Sequence, residues 1–522
     1  MFSTEGISPA VLGDACASRP IPLQADTMST IDKQTGLRLD NQFAREVQCM
    51  YVRWQPEPAP APRWLQFNDA LAQELGLDAQ ALRSDAGLAV FSGQRIPEGA
   101  EPVAQAYAGH QFGHYSPRLG DGRALLLGEI VNASRHRFDL ALKGSGPTPF
   151  ARNGDGKAAV GPVLREFLIA EAMHALGVPT TRVLAAVATG ESVRRERALP
   201  GAVLARVAAS HLRVGSFEYA ARAEDAALLG RLAEHAITRH APHLQGQPQR
   251  HLGLLEQVVE RQAQLIAQWM GLGFIHGVMN TDNMTISGQT IDYGPCAFME
   301  HFDPEEVFSS IDHDGRYAWA NQPAIAHWNL SRLAETLLTL IDTDADRAGA
   351  LAMAAIGKFE KQLSAHWSAL LRSKVGLPDG GEAADLLATE FMHLLQRYEV
   401  DFTLGWRRLG DAAAGNEAPL RALFGAHAAA LEDWFARWRA MFGTVPGAER
   451  AQAMAKVNPM VIPRNHLVEQ ALAAASDYDD LAPFERLLDA VRRPFEPRDD
   501  DDIYIQPASR EETASYRTFC GT

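Results

Sequence analysis

The residues best suited to chemistry lie in one polar segment, residues 273–294. Within it, Asn283 and Asp292 offer hard oxygen atoms, and residues 286–291 between them predict a tight hairpin that would bring both to one end. Magnesium takes one or two such protein oxygens and completes its shell with phosphate and water. Asp282 lies beside Asn283 and could accept a proton from a hydroxyl group. The segment therefore indicates a metal–phosphate site with a base beside it.

Strands and one helix must position this segment from upstream. Apolar runs and alternation, bounded by turn residues, predict strands at residues 124–130, 138–143, 181–189 and 203–207. Between the second and third strands, a helix is expected to begin near Pro162 and to end at Gly177. Another short helix is predicted over residues 64–77.

Downstream of residue 220 the sequence is mostly helical, apart from the loop-rich stretch 271–323. This order predicts an α+β fold with a small β-rich lobe followed by a large α-rich lobe. We expect a poorly structured N-terminal extension at residues 1–37, in which Met28 is an alternative start. Residues 38–215 would hold the rest of that extension and the β-rich nucleotide-binding lobe, and residues 216–522 the α-rich catalytic lobe with a helical C-terminal extension and tail.

Composition limits the partners that the chain can have. The formal net charge is −15 and 46% of the residues are hydrophobic, so a large core is expected but no general attraction to nucleic acid or anionic membranes. No apolar run approaches the length of a membrane span, and the four cysteines match no zinc pattern and no dense disulfide pattern. We expect a cytoplasmic protein without nucleic-acid or membrane partners.

The polar segment resembles the active-site region of the protein-kinase superfamily. His276-Gly277 matches the opening of the kinase catalytic loop, and Asn283 has the offset of the metal-binding asparagine. Residues 292–294, Asp-Tyr-Gly, occupy the place of the Asp-Phe-Gly motif that follows. Val278, however, occupies the position of the catalytic aspartate, and valine cannot orient or deprotonate a hydroxyl group. The resemblance implies a kinase-like two-lobed fold but argues against simple kinase chemistry.

The same resemblance gives roles to two upstream residues. Lys143 ends an alternating strand, where the superfamily keeps its phosphate-binding lysine. Glu166 lies on the next helix, where the ion-pair partner of that lysine belongs. Taken singly, these would be read as a surface lysine and a solvated glutamate; together with the downstream segment they favour the kinase-like interpretation.

A set of longer motifs is similar to one family in particular, the selenoprotein O family, which includes the bacterial YdiU proteins. The resemblance covers roughly residues 38–522. Its motifs are residues 107–115 (YAGHQFGHY), 118–123 (RLGDGR), 143–150 (KGSGPTPF), 152–157 (RNGDGK), 276–284 (HGVMNTDNM), 292–295 (DYGP) and 458–466 (NPMVIPRNH).

Membership of this family would imply a protein adenylyltransferase. Its members have a kinase-like fold, bind ATP in a flipped orientation and transfer AMP, or UMP from UTP, to Ser, Thr or Tyr of proteins with Mg²⁺ or Mn²⁺. The resemblance implies Asp282 as proton acceptor and Asn283 and Asp292 as metal ligands. It also implies the nucleotide contacts Gly120, Gly122, Arg123, Lys143, Asp155, Gly156, Arg206, Arg213 and Asp292.

The family resemblance also suggests redox control, because several animal members carry selenocysteine near the position that matches Cys520. Cys296 lies four residues after Asp292. We therefore expect either a regulatory Cys296–Cys520 disulfide, which would restrain the loop beside the site, or two unrelated thiols.

Two other functions remain open from the sequence. The His-Gly opening is shared with small-molecule phosphotransferases of the aminoglycoside-kinase type. A catalytically inactive nucleotide-binding scaffold is the alternative outside the enzymes.

Overall fold

The computed structural model describes residues 30–519. Its strands are β1 (Leu39–Asp40), β2 (Tyr51–Arg53), β3 (Arg63–Phe67), β4 (Val103–Gln105), β5 (Gly109–Gln111), β6 (His114–Ser116), β7 (Ala124–Val131), β8 (Arg137–Lys143), β9 (Ala158–Ala159), β10 (Arg182–Arg194), β11 (Ala198–Ala208), β12 (Phe274–Ile275) and β13 (Ala297–Phe298). Most of them form one antiparallel sheet in the order β2-β4-β7-β8-β11-β10-β3, with β1 beside β7 and β9 beside β11. The four strands predicted from the sequence fall on β7, β8, β10 and β11, which confirms them.

The centre of this sheet carries Lys143. Lys143 ends β8, opposite Ala124 of β7 and Leu204 of β11.

The predicted helix over residues 64–77 is wrong in its first part, because Trp64–Phe67 pairs with β10 at the sheet edge. The helix begins only at Asp69, after the Asn68 side chain accepts a hydrogen bond from the first turn.

The helices account for most of the remaining chain. They are α1 (Gln42–Glu46), α2 (Asp69–Glu74), α3 (Ala79–Leu82), α4 (Asp85–Phe91), α5 (Val160–Ala175), α6 (Val214–Ala220), α7 (Leu228–His240), α8 (Arg250–Gly271), α9 (Gln322–Ile341), α10 (Ala345–Ile356), α11 (Lys358–Lys374), α12 (Gly381–Arg397), α13 (Phe402–Ala413), α14 (Ala418–Phe424), α15 (Glu432–Ala440), α16 (Gly447–Ala455), α17 (Asn465–Tyr478), α18 (Ala482–Val491) and α19 (Arg510–Ser515). The predicted helix at Pro162–Gly177 is α5.

The core forms on both faces of the sheet. On one face, the apolar residues of α5 join those of α7, α8 and α9 in one continuous buried cluster. On the other face, residues 67–91 cover the sheet. Helices α11 to α16 contribute to a further buried cluster that contains no residue of this sheet. The α+β class is thereby confirmed. Within residues 30–519, none of the helices combines the length and apolar character that a bilayer crossing needs.

The polar segment is closed at its base by a short strand pair. Phe274 of β12 lies opposite Phe298 of β13, so the chain returns to its starting point after the polar residues. The hairpin predicted for residues 286–291 is wrong, because its arms pair elsewhere: Thr285 bridges to Arg213 and Thr290 to Thr180. A local turn remains, since the Thr285 hydroxyl donates to the Gln289 carbonyl at 2.6 Å, but the backbone bridges are to distant parts of the chain.

The predicted N-terminal extension lies mostly outside the described residues, but residues 30–37 are described and have a fixed place. Asp32 is buried and accepts hydrogen bonds from the backbone of Thr35 and of Glu98, each at 2.9 Å. It also forms an ion pair with Arg95. The expectation of little structure is therefore wrong for these residues.

A buried ion triad joins the C-terminal extension to the end of the polar segment. Arg464, just before α17, is fully buried and pairs with Glu300, which follows β13, and with Asp401 at 2.6 Å. Asn465 adds hydrogen bonds to the backbone of Phe298. The extension thereby holds the chain that leaves the polar segment.

We expect Arg464→Met to lower the free energy of unfolding by about 3–5 kcal/mol, because Glu300 and Asp401 would be left buried without their cation. Denaturant unfolding checks this. The matched control is Arg510→Met, whose ion pair with Glu399 is exposed and should be worth less than about 1 kcal/mol. Equal losses in the two variants would contradict the role of the triad.

Candidate active site

A cavity of about 290 Å³ lies between β8, α5 and the polar segment. Strand β8 contributes Lys143 and helix α5 contributes Glu166. The polar segment contributes Asp282, Asn283 and Asp292. The predicted site residues that line the cavity are Arg123, Lys143, Glu166, Asp282, Asn283 and Asp292.

Lys143 lines the cavity and forms two ion pairs there. Its Nζ lies 2.5 Å from Glu166 Oε2 and 2.5 Å from Asp292 Oδ1. Arg206 Nη1 adds contacts at 3.1 Å to Glu166 Oε1 and at 3.7 Å to Asp292 Oδ1. Enclosure opposes ionisation of Asp292, but the two cations outweigh it and hold the pKa of that carboxyl well below its usual range. Asp292 is therefore ionised, and its Oδ2 takes no part in these ion pairs.

Asp282 is a buried carboxyl group with one oxygen unoccupied. Its Oδ2 accepts a hydrogen bond from Gln111 Nε2 at 3.2 Å, while the buried Oδ1 has no partner among the described residues. Burial raises the pKa of Asp282 to about 6, although Arg213 and Gln111 oppose the shift. A carboxyl group in this state can hold or release a proton near neutral pH.

Hydrogen bonds fix the short 3₁₀ turn Thr281–Asn283 that carries Asp282. The Thr281 hydroxyl accepts from the backbone N–H of His110 at 2.6 Å and donates to Glu218 Oε2 at 2.6 Å. Glu218 also pairs with the His110 ring. Strand β5 and helix α6 thus hold the turn from two sides.

Asn283 and Asp292 provide a donor set that suits a hard divalent cation. The Asn283 amide nitrogen donates to the carbonyl of Val278 at 3.0 Å, which leaves its oxygen to face a ligand. Among residues 30–519 there is no cluster of three or more His, Cys, Asp or Glu that could hold a metal alone. The pair therefore fits Mg²⁺ or Mn²⁺ bound jointly by protein and substrate phosphates rather than by a closed protein cage.

Close packing against Phe150 requires glycine at positions 120 and 122 of the 118–123 motif. Gly120 has φ of +70°, and a Cβ there would lie 2.3 Å from the Phe150 ring. A Cβ on Gly122 would lie 2.9 Å from the Phe150 carbonyl oxygen. Only glycine lets the following loop pack this closely, and Arg123 then reaches the cavity lining.

Asp155 and Gly156 lie in that following loop and are not among the residues that line the cavity. Asp155 pairs with Arg195 at 2.7 Å on the surface. Gly156 has φ of +64°, and its backbone carbonyl accepts from Gly146 at 3.1 Å. The structure does not bring this pair together with the central charges.

The two predicted arginines are buried behind the cavity. Arg213 Nη1 donates to the Asp282 carbonyl at 3.3 Å, and its guanidinium lies 4.3 Å from the centre of the Tyr107 ring. Arg206 reaches Glu166 and Asp292, as described above. Both arginines stand next to the charged groups of the site.

Sequence reasoning missed several residues that line the cavity: Gln111, Phe112, Pro162, Asn280 and Ile311. Gln111 and Phe112 lie inside the motif of residues 107–115, which gave a family resemblance but no role. The hydrogen bond from Gln111 to Asp282 joins residues far apart in the chain, so no local pattern indicated it.

Cys296 is a fully buried free thiol beneath the site. Burial raises its pKa to about 11, against the opposing effect of Arg165. The Thr518 hydroxyl donates to the Pro295 carbonyl at 2.7 Å, so the C-terminal tail passes beside the residue before Cys296. Cys520 lies outside the described residues, and the Cys296–Cys520 pairing stays a prediction.

Comparisons with known proteins identify the family of the chain. The family model described as "Protein adenylyltransferase SelO" matches residues 34–492. The chain is 58% identical over 490 residues to "Protein nucleotidyltransferase YdiU" of Mycobacterium sp. (strain KMS), covering 94% of this chain and all of that protein. It is 54% identical over 486 residues to the protein of the same name from Cereibacter sphaeroides (strain ATCC 17029 / ATH 2.4.9), covering 93% and 99% of the two chains. The chain therefore belongs to the SelO family of protein adenylyltransferases.

Proposed function

We propose that this enzyme moves AMP from ATP to Ser, Thr or Tyr hydroxyl groups of other proteins and releases pyrophosphate. The observation that carries the proposal is that one cavity contains the charged and polar residues of a kinase site but lacks the kinase base. Lys143, Glu166, Asn283 and Asp292 line it as in a kinase, while the apolar Val278 replaces the kinase base. The nucleotide would lie between a β-rich lobe, residues 38–215, and an α-rich lobe, residues 216–522, in a kinase-like arrangement.

The orientation of ATP follows from where the cations lie. Lys143, Arg206 and Arg213 are buried or nearly buried, so they would hold the β- and γ-phosphates at the inner end of the cavity. Arg123 and the 118–123 and 144–157 loops would then contact the outer part of the nucleotide. This leaves the α-phosphate facing the acceptor hydroxyl group.

Asn283 and Asp292 would hold Mg²⁺ or Mn²⁺ together with the phosphates. The bound cation supplies charge neutralisation for the pyrophosphate that leaves. The donor set on this chain fits that role, because Asp292 is ionised and the Asn283 oxygen is left as an acceptor. UTP with UMP transfer is a second donor that the same phosphate contacts would accept.

Asp282 would take the proton of the acceptor. The hydroxyl oxygen attacks the α-phosphorus, the bond from that phosphorus to the oxygen that bridges the α- and β-phosphates of ATP breaks, and the proton passes to the Asp282 carboxylate. Gln111 donates to Asp282 Oδ2 at 3.2 Å and so orients the group. Positioning and charge neutralisation then provide most of the catalysis.

Labelled ATP tests the proposal. The protein is incubated with MgCl₂ or MnCl₂ and with ATP labelled at either the α- or the γ-phosphate, and label retained on protein is measured. We expect retention from the α position only. Retention from γ only would show a protein kinase. Transfer of the γ label from ATP to an added small-molecule alcohol, with none on protein, would favour the phosphotransferase, and no transfer of label from ATP would favour the inactive scaffold.

A further inference from the structure

The connection from β11 to helix α6 contains a buried histidine between the two arginines of the site. Arg206 lies near the end of β11, and Arg213 immediately precedes α6. His211 stands between them and is only 3% exposed. Nothing in the mechanism above uses this ring, yet it contacts both arginines.

The hydrogen bonds of His211 define a single form of its ring. Asp139 Oδ2 accepts from the His211 backbone N–H at 2.8 Å and lies 3.1 Å from Nδ1. Arg239 holds the other oxygen of Asp139 at 2.8 Å. On the opposite side of the ring, Arg206 Nε–H donates to Nε2 at 3.1 Å. Because arginine can only donate, Nε2 must carry a lone pair, and the proton must sit on Nδ1.

The electrostatic surroundings favour the same neutral form. Burial lowers the pKa of His211, and the nearby cations Arg206 and Arg213 act in the same direction. Asp139 acts to raise the pKa of His211, but its carboxylate is also paired with Arg239, which weakens this effect. A neutral ring is therefore the form that can accept from Arg206.

His211 also holds the second arginine, through its backbone. The His211 carbonyl oxygen accepts from Arg213 Nε at 3.2 Å. The Nε atoms of both arginines are thus engaged by one residue. The terminal nitrogens stay available for other partners. Arg206 Nη1 contacts Glu166 at 3.1 Å and Asp292 at 3.7 Å. Arg213 Nη1 donates to the backbone carbonyl of Asp282.

We propose that His211 is a positioning residue that sets the direction of the Arg206 guanidinium toward the phosphates of ATP and ties it to Arg213. The Asp139 carboxylate fixes the ring tautomer, and Asp139 lies on β8, the strand that also carries Lys143. One strand therefore presents a phosphate-binding cation directly and orients a second one through His211. This inference rests on the proposed function, since it assigns the arginines to ATP phosphates.

Two amide substitutions of His211 distinguish the Nε2 side of the ring, which faces Arg206, from the Nδ1 side, which faces Asp139. His211→Gln can place a carbonyl oxygen near the position of Nε2 and so keep an acceptor for Arg206. His211→Asn is shorter, reaches only the position of Nδ1, and leaves Arg206 Nε without an acceptor. Thermal unfolding of both variants shows whether they fold, and calorimetry with MgCl₂ measures their affinity for ATP.

We expect His211→Asn to weaken ATP binding by about tenfold or more, and His211→Gln by about threefold or less. In an Arg206→Lys background, which has no Nε–H to orient, His211→Asn should cost less than about twofold further. The same loss in both backgrounds, or normal ATP affinity in His211→Asn, would overturn the inference. If His211→Asn does not fold, an ATP affinity of His211→Gln as low as that of Arg206→Lys would overturn it.

The wild-type protein separates this inference from the proposal beneath it. Wild-type protein that binds no ATP would refute the proposed function and the inference together. Wild-type protein that binds ATP and transfers AMP, beside a His211→Asn variant that does both equally well, would refute the role of His211 alone.

Discussion

Asp292→Ala is expected to abolish AMP transfer, with a loss on the order of 10²-fold or more in rate. The substitution removes the ionised carboxylate that would hold the metal and leaves Lys143 and Arg206 without one of their anionic partners. Incorporation of α-labelled AMP at saturating MnCl₂ measures the effect. Asn283→Ala should be severe but weaker, because it removes a neutral ligand.

A surface carboxylate provides the matched control for this experiment. Asp225→Ala removes an acid that pairs with Arg231 at 2.6 Å and is not among the cavity-lining residues, so its transfer rate should stay within about twofold of the wild type. Full activity of Asp292→Ala at saturating metal would show that the metal assignment is wrong.

Local patterns in the sequence predicted much of the framework around the site. The alternating strand that ends at Lys143 and the helix that carries Glu166 both follow from the spacing of apolar residues. These elements are long enough for periodicity to identify them. Their meeting in one cavity could be expected only from the resemblance to kinases, since no local signal relates residues 143, 166 and 292.

The errors came where distant contacts override local preference. Residues 64–67 form a strand because β10 offers them a sheet edge. Residues 286–291 form no hairpin because their flanks pair with Arg213 and Thr180. In the same way, the bonds from Gln111 to Asp282 and from His211 to Asp139 join parts of the chain that only the fold brings together. Pairwise contacts of this kind leave no periodic trace in a sequence.

Asp282→Asn is expected to lower the rate of AMP transfer by about 10²-fold or more while ATP–metal binding stays within a few-fold of the wild type. Asparagine has nearly the same shape and can still accept the hydrogen bond from Gln111, but it cannot take the proton of a hydroxyl group. The backbone carbonyl of residue 282, which contacts Arg213, is unchanged by the substitution. Initial rates with α-labelled ATP and calorimetry with ATP and MgCl₂ measure the two properties separately.

The alternative role for Asp282 is to support the bound cation, since it adjoins Asn283 and lines the same cavity. That role predicts a loss of ATP–metal affinity in Asp282→Asn, with the rate recovering as the metal concentration rises. Gln111→Ala separates the two roles further. If Asp282 is the base, loss of its orienting partner should lower the rate at saturating ATP and metal and leave ATP affinity nearly unchanged. A weakened affinity in both variants would move Asp282 from catalysis to binding.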